Sequence, residues 1–183
     1  MFVFRATQKV IKASGKIEIQ PIEQDFDSDL SEWYVNSIPG GERGKFVMVF
    51  MHAATQTVII TTDKSLKKAF NSFKEKLHLL LERQYFKRDF IEKNFDLNAD
   101  YIVTKTASRK ILGQQNDAIK DVKYWMDNYT HFDGIKWSSI EDSLFKKIIW
   151  IENNEVSKPQ ILWANRGALM STEEIDKERL SKS

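Results

Sequence analysis

The sequence predicts an α+β domain, in which a small mixed or antiparallel sheet from the N-terminal half is packed by helices mostly from the C-terminal half. Three observations carry this. Short apolar and β-branched runs dominate up to Thr62, returning once at "DYIVTKT". From Asp63 the apolar spacing changes to steps of three and four. The chain has 183 residues, 42% hydrophobic and 12% aromatic, which suffices for one buried core. No repeat, low-complexity tract or Pro/Gly/Ser-rich linker divides it, so residues 1–183 read as a single domain, with about 171–183 a frayed helix or tail.

"FVFRAT" reads as a strand with Phe2 and Phe4 on one face and Val3 and Arg5 on the other, and "QKVIKAS" as a turn or short helix closed by Gly15. Between Glu18 and Glu32 come Glu18, Glu23, Asp25, Asp27, Asp29 and Glu32 without one Lys or Arg, which reads as a solvated loop or as an acidic partner-facing or nucleic-acid-mimicking surface. "EWYVNSI" is a strand ended by the turn-rich "PGGERG". "KFVMVFMHAATQTVIITT" reads as a buried hairpin whose first arm, apolar on both faces, is covered on both sides.

Leu66, Ala69, Phe70, Phe73, Leu77, Leu80 and Leu81 form a helical stripe, with Thr62 or Asp63 expected as its N-cap. A shorter helix follows from Lys87 to about Phe95, and then the strand "DYIVTKT". Thr106 or Ser108 caps the next helix, where Ile111, Gln115, Ala118, Ile119, Val122, Trp125, Met126 and Tyr129 form a sheet-facing stripe. Ser138 and Glu141 have capping-box spacing for a helix from Ile140 to about Ile151, with Leu144, Phe145 and Ile148 buried. "STEEIDKERL" closes the chain as a short helix.

The absence of cysteine excludes disulfides, thiolate catalysis and cysteine-ligated zinc. His52, His78 and His131 lie far apart, so no motif-type metal site is expected, and no cofactor is implied. Arg5, Gln8 and Lys9 interrupt any signal-peptide core, and no run reaches the roughly 18 apolar residues of a membrane span, so a cytoplasmic protein without membrane partners is expected. A net charge of +2 exerts no global pull on nucleic acid.

Candidate ligand or partner contacts fall in three places. In "SRKILGQQND", Arg109 and Lys110 flank a helix start preceded by Lys105 and Thr106, which reads either as capping, packing and solvated charge or as a phosphate or nucleic-acid contact that helix dipole and cations favour together. Asn116 and Asp117 lie more than about 100° from the stripe and are free to meet a ligand or loop. Gly113 costs that helix about 1 kcal/mol against alanine, a cost that close approach of a backbone or ligand would justify. Arg5, Thr7 and Lys9 alternate, so they project to one side as polar teeth of a surface strand or as part of a basic pocket beside Arg109. Trp33, Tyr34 and Asn36 suit either base stacking or core burial. G-x-S-x-G, P-loop and H-E-x-x-H motifs are absent.

"FRATQK", "WYVN", "VIITTDKSL" and "TASRKILGQQND", in that order, resemble an uncharacterised bacterial domain-of-unknown-function family of small stand-alone proteins. Its members carry an Arg-x-Thr-x-Lys start, a Trp-Tyr-Ala-Asn element, a strand ending in Thr-Asn or Thr-Asp, and Leu-Gly-x-x-Asn-Asp. The likeness runs from about Phe2 to Leu169, taking "NEVSKPQIL" as the family's Asn-x-x-Pro element. It implies one complete cytoplasmic domain of a bacterial or mobile-element protein, and it puts Arg5, Thr7, Lys9, Trp33, Tyr34, Asn36, Arg109, Gly113, Asn116 and Asp117 on motif positions. "PGGERGKFVMVFMHAAT" is longer than the family's usual connection, which implies an extra strand.

The leading expectation is a non-enzymatic binding module, an accessory protein of a mobile element or defence locus that contacts protein or nucleic acid. The alternatives are an enzyme on a phosphate-containing substrate, with Lys9 and Arg109 on the anion and Asp117 as base, and a homo-oligomeric structural protein.

Overall fold

A computed structural model describes residues 1–21, 30–96, 98–147, 149–150 and 156–181. Five strands, β1 (Phe2–Ala6), β2 (Glu32–Pro39), β3 (Phe46–His52), β4 (Val58–Thr61) and β5 (Tyr101–Lys105), form one mixed sheet in the order β4-β3-β2-β1-β5. β1 runs parallel to both β2 and β5, whereas β2–β3 and β3–β4 are antiparallel. The fold is α+β.

Strand alternation sorts the core into two layers. Phe2, Phe4, Ala6, Trp33, Val35, Met48, Phe50 and Ile59 face one way, against α1 (Gln8–Ala13), α2 (Leu66–Arg83) and Trp163 of α6 (Pro159–Asn165). Val47, Val49, Met51, Val58 and Ile60 face the other way, against α4 (Arg109–Asp127) and α5 (Trp137–Phe145). The apolar β3 is buried on both faces because it lies inside this sandwich.

α3 (Arg88–Asn94) and α7 (Thr172–Ser181) complete the named helices. Ser171 and Glu174 form a reciprocal capping box for α7: the Ser171 N–H donates to Glu174 Oε2 at 2.6 Å and the Glu174 N–H to Ser171 Oγ at 3.2 Å. α6 was not expected from the sequence, although Pro159 in its first turn is a start signal. Among the described residues no helix is long and apolar enough to cross a membrane.

Several local expectations are corrected. Ser65, not Thr62 or Asp63, holds the N-cap position of α2, and the Leu66 N–H donates to Ser14 Oγ at 2.9 Å, so the helix start is capped by a distant residue. Ser138 does not cap α5, which starts at Trp137 and ends at Phe145 rather than near Ile151. Its Glu141 turns inward, where Oε1 accepts the Ile60 N–H of edge strand β4 at 2.9 Å and Oε2 accepts from Arg83 at 3.1 Å. An edge N–H is thereby satisfied and blocked from strand addition. Trp125 leaves the sheet-facing stripe of α4 and is 38% exposed. Glu32 belongs to a strand, not a solvated loop; Glu23, Asp25, Asp27, Asp29 and the expected burial of Ile148 lie outside the described residues.

Candidate functional site

The parallel strands β1 and β5 lie side by side, but their chains leave in opposite directions. After β1 the chain enters α1, whose Val10 and Ile11 pack on the Phe4 face. After β5 it enters α4, whose Ile119 and Val122 pack on the Val49 face. Neighbouring parallel strands whose following helices go to opposite faces leave a crevice at their carboxyl ends, the place where open α/β sheets gather ligands.

Arg5 and Thr104 stand at this point. They are register partners across β1 and β5, so their side chains share a face. Together with Ile19, Gln20, Pro21 and residues 105–107 they line a crevice of about 500 Å³. Gln20 is brought there by a backbone hydrogen bond, its N–H donating to the Val103 carbonyl at 2.9 Å.

Arg5 is 7% exposed, and its Nε donates to Glu32 Oε1 at 2.8 Å. No other hydrogen bond reaches its guanidinium among the described residues. Thr104 is 4% exposed, and its hydroxyl has no hydrogen-bond partner among the described residues. Tyr34, also buried, accepts the Ser108 N–H at its hydroxyl at 3.1 Å and so fixes the start of α4 over β2. Burial pushes the Tyr34 phenol above its ordinary pKa; the Ser108 N–H and Arg5 favour the phenolate and oppose the shift, and Glu32 adds to it. Ser108 Oγ accepts the Ile111 N–H and caps the helix. Farther along, Gln115 Nε2 donates to the Tyr34 and Val49 carbonyls at 2.8 and 3.1 Å, pinning α4 across β2 and β3.

The other expected contacts divide. Thr7 and Lys9 do not continue the alternation of Arg5, because β1 ends at Ala6 and α1 begins at Gln8. They grip the end of β2 instead: Thr7 Oγ1 donates to Asn36 Oδ1 at 3.2 Å, and Lys9 Nζ to the Ser37 carbonyl at 2.8 Å. Trp33 lies wholly inside, edge-on to Phe73 with ring centroids 4.9 Å apart, so neither it nor Tyr34 offers a ring to an incoming base. Arg109 and Asn116 are exposed on α4. No close approach explains Gly113, where an added Cβ would meet nothing within 4 Å. Asp117 accepts from Lys120 at 2.7 Å and lines a different crevice, of about 420 Å³, with Lys110, Asp121 and Lys147.

Glu32 and Thr104 were not singled out by sequence reasoning. Thr104 is the direct register partner of the candidate Arg5, a pairing that no spacing rule reveals, and Glu32 was hidden in an acidic run. The histidines stay apart: His52 is buried against Thr55, His78 meets Glu82 at 3.3 Å, and His131 is exposed. No cluster of metal-ligating side chains occurs among the described residues.

No curated protein matches the sequence. A family model described as domain of unknown function (DUF6933) matches residues 3–161, from the first strand into α6. The chain, with its crevice residues Arg5 and Thr104 inside that match, belongs to the DUF6933 family.

Proposed function

We propose that the chain is a binding module, not an enzyme, and that it receives a segment of a protein partner at the crevice between the carboxyl ends of β1 and β5. The single observation that carries this reading is the pair of buried donors, Arg5 and Thr104, lining an open crevice at a topological switch point. The groups that would run a reaction on a phosphate substrate are engaged elsewhere: Lys9 holds the Ser37 carbonyl, and Asp117 holds Lys120. A protein partner is preferred over nucleic acid because several cations are already paired with carboxylates, including Lys45 with Asp133, Lys120 with Asp117, and Arg83 with both Glu141 and Asp142. A cytoplasmic setting, in a bacterial mobile element or defence locus, belongs to the same proposal and is supported by the order of the motifs.

A displayed random-peptide library selected against the protein tests the reading. Enriched peptides should bind the wild type and lose affinity for Thr104→Val. Selection without enrichment, or peptides indifferent to that change, would contradict it. Tight binding of duplex or single-stranded nucleic acid that weakens steeply with salt and with Arg109→Ala would move the assignment to nucleic acid.

A further inference from the structure

We infer that the Arg5–Thr104 crevice is an oxyanion subsite, which takes a carboxylate or phosphate group carried on a ligand with an apolar body. The inference rests on the reading of this crevice as the binding surface and specifies what is bound there.

Arginine presents five N–H donors in a planar fork. The Nε edge of Arg5 is spent on Glu32, which fixes the plane of the guanidinium, and its Nη donors have no hydrogen-bond acceptor among the described residues. Thr104 stands opposite in register with a hydroxyl in the same condition. Both residues are largely buried, yet their spare donors open onto the crevice, so an acceptor arriving there can reach them without displacing a partner within the protein. The two residues sit on adjacent strands about 4.8 Å apart and line the same crevice.

The charge of the lining selects the sign of the ligand. Its ionisable members are Arg5 and Lys105, and no carboxylate lines the crevice among the described residues. Glu32 lies behind Arg5 and moderates its charge, which favours a ligand recognised by the geometry of the fork over one attracted by charge alone. The volume sets the rest. About 500 Å³ is more than a bare oxyanion fills, and Ile19 and Pro21 supply an apolar wall for the remainder of the ligand.

Calorimetric titration of the full chain with phenyl phosphate, benzoate and the neutral benzyl alcohol tests the assignment. At least one anion should bind saturably with one-to-one stoichiometry, and benzyl alcohol should not. Thr104→Val, which removes the hydroxyl and keeps the shape, should weaken that anion about tenfold. Arg5→Lys, which keeps the charge but loses the fork, should weaken it further with an unchanged circular dichroism spectrum. Preference for phenyl phosphate assigns a phosphate source, and preference for benzoate a carboxylate. Failure of both anions to saturate, or an affinity untouched by Thr104→Val, overturns the subsite. Should the anions bind as expected while no selected peptide competes with them, the subsite stands and the protein-partner reading falls. A crevice-binding peptide that neither anion displaces gives the reverse result.

Discussion

Two crevices flank α4, and they differ in how their charges are satisfied. The one along its exposed side is the richer in charge, with Lys110, Asp117, Lys120, Asp121 and Lys147 around a floor that includes Met51 and Val58. There Lys120 is tied to Asp117 and Lys147 to Asp121. The crevice just before the helix has fewer charges, yet its Arg5 and Thr104 are more than nine-tenths buried and keep donors without acceptors. On the proposed reading, density of charge does not mark the binding place. A charge that already has a local partner is at rest, whereas a donor that opens onto a crevice with no protein acceptor is available to a ligand.

The largest effect that sharpens this contrast is on stability. Arg5→Met should lower the unfolding free energy by roughly 2 kcal/mol in urea denaturation, because it strands Glu32 beside the core; the loss falls short of a fully buried pair because the Glu32 side chain keeps 24% exposure. Lys120→Met in the other crevice should leave the urea midpoint where it is, since both members of that pair are exposed. Equal losses at the two sites would erase the distinction.

Next in size is the buried amide that holds α4 between the crevices. Gln115→Leu removes two hydrogen bonds to strand carbonyls and should cost about 1.5 kcal/mol by the same measurement. The cost is tempered because Gln115 Oε1 has no donor among the described residues. Gly113→Ala should instead stabilise the protein by about 1 kcal/mol, as the added methyl meets open space and the helix gains propensity. If that variant is destabilised, the glycine has a role that its surroundings do not reveal.

The smallest effect concerns Glu141, which lines neither crevice. Burial raises its pKa above the ordinary 4.5, with Lys76, the Ile60 N–H and Arg83 opposing the shift. The folded state thus holds this proton more tightly than the unfolded chain. Its contribution is fully favourable below about 4.5 and is lost as pH rises through the folded value. Glu141→Gln should flatten this slope in stability curves measured from acid to neutral pH.

The local pattern of the fold was legible where neighbours in sequence decide it. Phe2 and Phe4 separate from Val3 and Arg5 as the period of a strand requires, and the stripe from Leu66 to Leu81 is buried as a helix face. What could not be read depends on partners far along the chain. The cap of α2 comes from Ser14, and Glu141 satisfies Ile60, separations that no spacing rule covers. Glu32 looked like one more acid in a run until β1 placed Arg5 against it. Arg5 was legible as a candidate, but its neighbour Thr104 was not, because the β1–β5 pairing that joins them spans the intervening helices.

The most direct test compares the two crevices in one experiment, an amide NMR titration of the full chain with phenyl phosphate. Saturable shifts should concentrate on residues 104–107 and on the Arg5 Nε–H, with residues 117–121 of α4 unmoved. Shifts confined to residues 117–121, or none at Arg5 and Thr104, would contradict the claim that donors open to the crevice without a protein acceptor, and not density of charge, mark the binding place.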